Sequence, residues 1–339
     1  MRRATSPAKL VFCGTPSFAV PTLDALRAAG HQIALVVSQP DRPVGRSGLL
    51  TAPPVKQAAL AAGLPVIQPE KIRNNPEFRA LIEALAPDAV VVVAYGRLIP
   101  PWMLALPRLG SINLHASLLP RYRGAAPIQW ALARGEDVTG NTTMLLEEGL
   151  DTGPILLQQA LAIDPRLTAV ELAEVLARNG APLMVQTLDG LVDGSIQPRP
   201  QNHSGATFAP LLSREDGRMD FAAHTATELK NRWRGFQPWP GAFTAWDGRK
   251  LIVHRLEVAT AAGTQNAEVA ADSVAGGADL SAHIPLLPGQ IAIEEGRLLV
   301  ACARSTWLEL LEVQIEGRKR LPAGEFLRGA GLATGARLG

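Results

Sequence analysis

The chain has 339 residues, 47% of them hydrophobic and 19% charged, with 33 Lys and Arg against 31 Asp and Glu for a formal net charge of +2. That composition excludes a disordered polyelectrolyte, and so small a positive excess excludes a protein that holds nucleic acid by overall charge; any basic surface must be local. The length exceeds that of one ordinary domain and predicts two, enough to bury a sizeable core.

Met1 to Lys9 is basic but precedes only a short apolar run, so it is expected to be a ragged terminus and not a leader. No stretch approaches the ~20 apolar residues of a spanning helix, and the protein is expected in the cytoplasm. Cys13 and Cys302 lie far apart and outside any metal-ligand spacing; they read as buried thiols, and no metal is expected.

Leu10 to Cys13 reads as a strand, Gly14-Thr15-Pro16 as a tight turn, Pro21 to Ala29 as a helix stopped by Gly30, and Ile33 to Val37 as the next strand. This is a Rossmann-like α/β opening. Gly14 lacks the second and third glycines of the dinucleotide fingerprint, which argues against a dinucleotide site. Ser38 to Pro54, with Arg42 and Arg46 among prolines and glycines, is expected to be a mobile or ligand-ordered loop. A helix over Pro54 to Ala62, a short strand over Pro65 to Gln68 and a helix over Pro76 to Leu85 follow. Ala89 to Ala94 is almost unbroken valine, apolar on both faces as at the centre of a mostly parallel sheet covered by helices. Tyr95-Gly96-Arg97-Leu98 leaves its carboxyl end, and on pattern alone an ordinary strand-to-helix turn serves as well as a binding stretch.

Residues Gly110 to Ile155 carry the densest chemistry. In Ser111-Ile112-Asn113-Leu114-His115 the period of two puts Asn113 and His115 on one face and Ile112 and Leu114 on the other. Leu118-Leu119-Pro120 ends the strand, and Gly149-Leu150-Asp151-Thr152-Gly153 confines a carboxylate between two glycines. An amide, an imidazole and a carboxylate without a Ser or Cys nucleophile suit direct transfer of an acyl group to an amine. Asn113 and a protonated His115 would donate to the developing oxyanion, and Asp151 would orient the ring and hold its proton. Each residue alone is more ordinarily a core histidine, a turn former or a helix cap. Their grouping at strand ends, where open α/β sheets bind ligands, brings a site level with that ordinary reading.

Pro154 to Ile163 reads as a partner strand and Thr168 to Leu191 as a long helix interrupted at Gly180-Ala181-Pro182. The first domain is expected over 1–195, a polar linker over 196–208, and the second domain over 209–339. There a helix near Thr225 to Gly235 precedes short strands at Ala242 to Trp246, Lys250 to Val258, Gln290 to Ile293, Arg297 to Ala303 and Trp307 to Val313. Asp247-Gly248 and Glu295-Gly296 are their hairpin turns, and the set suits a small OB-like β-barrel. Ala259 to Pro285 is expected to be a flexible insertion. Lys230, Arg232, Arg234, Arg318, Lys319, Arg320 and Arg328 would meet phosphates if the barrel faces RNA, or else form a solvated face.

The run INLHASLLPRYRGAAPIQWAL followed by GLDTG resembles the signature of the 10-formyltetrahydrofolate-dependent formyltransferases. The resemblance implies catalytic roles for Asn113, His115 and Asp151. It also implies the cosubstrate 10-formyltetrahydrofolate beside Tyr95, Gly96, Arg97 and Leu98 and beside Ser117, Leu118, Leu119 and Pro120. The SQPDRPVGRSG loop and the FQPWPG segment are similar to those of the tRNA-formylating branch, although Ser47-Gly48-Leu49-Leu50 stands where relatives often carry more lysine. That branch implies a monomer acting on methionyl-initiator tRNA, with Pro16, Arg42, Arg46, Lys230, Arg232, Arg318, Lys319 and Arg320 as contacts. A small-amine acceptor, such as glycinamide ribonucleotide or an amino sugar, is the competing enzyme reading, and a non-catalytic RNA- or folate-binding relative is the third.

Overall fold

The valine run at Ala89–Val93 buries all five of its residues, which only a strand flanked on both edges and covered on both faces can do. It is the sixth strand of the first of two units seen in a computed structural model that describes residues 7–44, 48–259 and 286–339. Arg46, the first six residues and, apart from Ala259, the expected insertion lie outside the described residues. The units are Met1–Ala131 with Glu136–Leu211, and Leu132–Gly135 with Leu212–Gly339.

In chain order the first stretch forms β1 (Lys9–Gly14), α1 (Val20–Ala28), β2 (Gln32–Val37), β3 (Arg42–Val44), β4 (Leu49–Thr51), α2 (Pro54–Ala61), β5 (Val66–Ile67) and α3 (Pro76–Leu85). Then come β6 (Ala89–Val93), α4 (Pro101–Ala105), β7 (Ser111–His115), α5 (Pro127–Ala133), β8 (Val138–Leu145), β9 (Ile155–Ala162) and α6 (Ala169–Val192). One seven-stranded sheet has the order β5-β2-β1-β6-β7-β8-β9. It is parallel as far as β7 and antiparallel through β8 and β9. The chain reverses its direction of travel across the sheet between β1 and β6, and such a switch point opens a crevice at the strands' carboxyl ends. The Thr15 hydroxyl donates to the Tyr95 carbonyl (3.0 Å) across it.

Three expectations change here. The loop after β2 is in part a small antiparallel hairpin, with Arg42 opposite Thr51 and Pro43 opposite Leu50. Its base is held by Asp41, which accepts from Lys56 Nζ (2.8 and 2.9 Å) and Gln68 Nε2 (2.7 Å). Second, α6 runs through Pro182 without a break. An internal proline costs about 3 kcal/mol, and the helix offsets it by burying Leu172, Leu176, Met184 and Leu188 on the sheet. Gly180 permits the approach, since a Cβ there would stand 2.7 Å from Leu114 Cδ2. Third, residues 196–208 are not a free linker. Arg199 and Ile155 exchange both backbone hydrogen bonds (2.8 Å each), and the Arg123 and Ala209 amides reach Thr207 O (2.9 Å) and Arg123 O (2.7 Å). The division between units falls at Leu211/Leu212. A polar stretch has little to bury but can still hydrogen-bond along its whole length.

The second unit contains α7 (Ala226–Gly235), β10 (Phe243–Trp246), β11 (Arg249–Val258), β12 (Ile291–Glu294), β13 (Arg297–Ala301), β14 (Trp307–Ile315), β15 (Leu321–Pro322) and α8 (Ala323–Ala330). Its strands form a curled antiparallel half-barrel in the order β10-β11-β14-β13-β12, with β15 paired to β14. Both expected hairpin turns occur. Asp247 and Gly248 (φ 51° and 68°) and Glu295 and Gly296 (φ 49° and 80°) adopt the left-handed pair that matches strand twist. Sequence reading missed α8, one short amphipathic helix whose Phe326 packs edge-on against Trp246 (5.6 Å between ring centres). Both thiols are buried, and desolvation pushes Cys13 and Cys302 up to about 12, too high for either to be a nucleophile at neutral pH. No described helix is long and apolar enough to cross a membrane.

Candidate active site

β7 carries Asn113 and His115 to its carboxyl end between β6 and β8, where Asn113 stands opposite Val92 on one side and Met144 on the other. His115 is buried, and its Nε2 lies 2.9 Å from the Tyr122 carbonyl. A carbonyl oxygen only accepts, so Nε2 carries the hydrogen and the ring's tautomer is set by that contact. Nδ1 then faces Asp151 Oδ2 at 3.7 Å. That gap exceeds a hydrogen bond. The group that orients the ring is therefore the Tyr122 carbonyl and not, as expected from the sequence, Asp151.

Asp151 sits in its turn at φ 49° with its side chain 14% exposed, and its Oδ2 also accepts the Gly124 backbone N–H at 2.8 Å. Gly124 has φ 119°, and a Cβ on it would stand 2.6 Å from the Ala209 carbonyl oxygen. Only glycine delivers the amide there. By contrast, the partly exposed Asn113 side chain makes no hydrogen bond among the described residues, so its donors and acceptor remain available. The structure thus brings His115 and Asp151 together from separate segments and sets Asn113 on the same strand face as His115.

Ser117 to Pro120 is fixed from behind. Thr142 Oγ1 donates to Ser117 O (2.6 Å) and accepts from Leu119 N (3.1 Å) and Gln158 Nε2 (3.0 Å), while Gln158 also donates to Leu119 O (2.9 Å). At the switch point, Tyr95 departs from expectation. Its ring is in the core, its hydroxyl is buried without a hydrogen-bond partner among the described residues, and burial holds the phenol well above its ordinary range. What it presents to the crevice is backbone, its carbonyl accepting from Thr15 and from Gln39 Nε2 (2.9 Å). Arg97 donates to the Pro69 carbonyl (3.2 Å) and to that of Glu70, and Leu98 is 82% exposed.

The expected RNA contacts divide. Pro16 and Arg42 are exposed in the first unit, and Arg318 and Lys319 in the second. Lys230 is paired with Glu257 and Arg320 with Glu312. Arg232 donates to Asp216 O (2.9 Å), lies 5.1 Å from the Phe236 ring centre, and is pushed below its ordinary range by desolvation. These three are already engaged within their own unit. Sequence reasoning missed Tyr122 and Gly124, which act through backbone, and Thr142, Gln158 and Gln201, which act through side chains. For Gly124 the signal was its place inside the motif run; polar residues in strands and a supposed linker offered none.

A carboxylate and an imidazole facing each other at the carboxyl end of β7, a strand that also carries an amide with no hydrogen bond among the described residues, are groups suited to acyl transfer. The family profile described as Formyl transferase matches residues 8–188, and that described as Formyl transferase, C-terminal domain, matches 211–331. The chain belongs to the formyl transferase family of enzymes. It is 59% identical over 331 residues to the methionyl-tRNA formyltransferase of Acidobacterium capsulatum, covering 98% of this chain and 99% of that one. Against the methionyl-tRNA formyltransferase of Koribacter versatilis the identity is 53%, covering 94% and 95%. Among solved structures, the sugar 3N-formyl transferase WlaRD superposes with a TM-score of 0.62 at 15% identity, covering 93% of this chain and all of that one. HypX from Aquifex aeolicus in complex with tetrahydrofolic acid gives 0.59 at 14%, covering 95% of this chain and 47% of that one. At these identities the two structures speak for the fold alone.

Proposed function

We propose that the protein transfers the formyl group of 10-formyltetrahydrofolate to the α-amine of methionyl-initiator tRNA, giving formylmethionyl-tRNA for translation initiation. The observation that carries the reading is the His115 Nδ1 and Asp151 Oδ2 pair, held 3.7 Å apart beside the unengaged Asn113 amide. Similarity over nearly the whole length to methionyl-tRNA formyltransferases supports the acceptor.

The residues present fit a formyl-bearing folate. Such a ligand has an apolar aromatic body and an amide-like formyl end, and exposed Leu98 offers an apolar surface to the first while Asn113, with no hydrogen bond among the described residues, offers an amide to the second. When bound, the folate supplies the formyl carbon as an activated amide of its N10. Asn113 Nδ2 donates to the formyl oxygen as the amine nitrogen attacks and negative charge develops there. His115, held through Nε2, turns Nδ1 toward the reacting atoms and toward Asp151. Asp151 would take the proton that leaves the amine and deliver it to the nitrogen of the departing folate, so that the leaving group departs as a neutral amine and the carboxylate is regenerated. Gly124 N–H keeps the carboxylate in place throughout. In the second unit the exposed Arg318, Lys319 and Arg328 are available to meet phosphate, and in the first Pro16 follows β1 and Arg42 opens the hairpin after β2.

Incubating the protein with 10-formyltetrahydrofolate and charged initiator tRNA should yield formylmethionyl-tRNA, inhibited steeply by salt. Formylation of glycinamide ribonucleotide or an amino sugar, with tRNA untouched, would transfer the reading to a small acceptor. Binding without turnover would leave only the scaffold.

A further inference from the structure

The stretch Arg199 to Ala209 has the composition of a linker, yet two of its side chains meet the backbone that carries the site. Gln201 is 5% exposed, and its Nε2 donates to both Asp151 O (2.8 Å) and Gly153 O (2.7 Å). Its Oε1 accepts from Arg123 Nε (3.1 Å) and Nη2 (2.6 Å), and Arg123 is itself only 4% exposed and reaches His203 Nδ1 at 3.2 Å. All the capacity of that amide group is thus directed at two loops, the Asp151 turn on one side and the Tyr122 to Gly124 loop on the other. Thr207 completes the arrangement, its Oγ1 accepting the Tyr122 amide at 2.8 Å.

Both loops hold conformations that need such support. Asp151 and Tyr122 are non-glycine residues at φ 49° and 61°, each disfavoured by about 1–3 kcal/mol. Tyr122 presents the carbonyl that fixes His115, and Asp151 presents the carboxylate that faces it. A rigid tie between the turns sets the distance between the two working groups. A displacement of about 1 Å at a reacting centre can cost ~10²-fold in rate.

The geometry points to Gln201 as a positioning residue for the transfer, a crosslink through which residues 199–209 hold Asp151 at working distance from His115, with Thr207 holding the opposite side. This rests on Asp151 and His115 being the working pair proposed above. A role of this kind separates from simple structural support because it acts only through the distance between Asp151 and His115. Removing Gln201 should then cost nothing further once the carboxylate is gone, whereas a loss of general integrity multiplies with any other loss.

The test is a cycle of Gln201→Met, Asp151→Asn and the double variant in the full chain, assayed with 10-formyltetrahydrofolate and charged initiator tRNA, with kcat normalised to the folded fraction. Methionine keeps the volume and removes every hydrogen bond. Gln201→Glu keeps the acceptor for Arg123 and places a carboxylate against two carbonyls, so it provides a second variant with the fold's buried cation still paired. Each is expected to lower kcat about 10- to 100-fold with KM for the formyl donor little changed, and the double variant should be no slower than Asp151→Asn. Thr207→Val should fall by less, and Thr207→Ser should restore it. Wild-type kcat in either folded Gln201 variant, or a Gln201 loss that multiplies on that of Asp151→Asn, overturns the proposal. If Asp151→Asn itself turns over normally, the working pair was assigned wrongly, and that result is distinct from failure of the crosslink alone.

Discussion

The two units place charge and polarity by opposite means. In the first, the polar groups of the site are tied through backbone. The Tyr122 carbonyl holds His115, the Gly124 amide holds Asp151, and Gln201 spans the two turns. In the second, the exposed cations Arg318 and Lys319 stand on long side chains at the turn after β14, while Lys230 and Arg320 are spent on Glu257 and Glu312. Chemistry that depends on fractions of an ångström needs the first arrangement. Contact with a flexible polyanion is served by the second, because phosphate binding tolerates variation in distance and direction.

That contrast can be broken at its strongest point by removing the polar groups themselves. Asn113→Ala should reduce kcat ~10²- to 10³-fold, the loss typical of one oxyanion donor, and His115→Ala should lose a factor of about the same size by removing the ring that faces Asp151, each with the thermal transition nearly unchanged. Near-normal turnover in the folded His115 variant would mean that the preorganised unit is not where the reaction occurs.

Next in size is Gly124→Ala. The added Cβ meets the Ala209 carbonyl at 2.6 Å from a backbone at φ 119°, so the loop must shift and with it the amide that holds Asp151. A loss on the order of 10-fold or more in kcat and a lower melting temperature are expected together. A fall in melting temperature alone would separate the loop's structural role from its catalytic one.

The second unit should respond differently. The double substitution Arg318→Ala and Lys319→Ala should raise KM for tRNA a few-fold, leave kcat intact, and reduce the slope of log affinity against log salt by about 1 for each phosphate no longer neutralised. A fall in kcat with an unchanged salt slope would erase the distinction between the units.

The smallest effect concerns His31, remote from the site. Its Nδ1 accepts the Ala8 amide at 3.3 Å, and burial pushes the imidazole below its ordinary 6.5, against a weaker opposing pull from Asp189. A folded-state value below the unfolded one means that its contribution is complete above 6.5 and is lost as pH falls through the depressed value. Thermal scans between pH 7 and pH 5 should show a melting temperature that declines in the wild type, by roughly 2–4 °C for each kcal/mol of stability removed. His31→Asn, which keeps an acceptor for Ala8 and does not titrate, should decline less.

The sequence by itself determined the layered α/β character of the first unit, the strands and both hairpin turns of the second, and the singling-out of Asn113, His115 and Asp151 as a candidate group. Those features are written in short-range patterns: a valine run apolar on both faces, a period of two that places an amide and an imidazole together, and glycine after an acidic residue at a turn. Only the tertiary structure decided how the groups are held. It assigned the ring of His115 to the Tyr122 carbonyl, took Tyr95 into the core, let α6 pass through Pro182, and turned a polar stretch into the tie between two loops. The physical reason is the same in each case. Backbone amides and carbonyls are identical in every residue, and a glutamine's partners lie 48 and 50 positions away, so nothing local in the chain records which of them will meet.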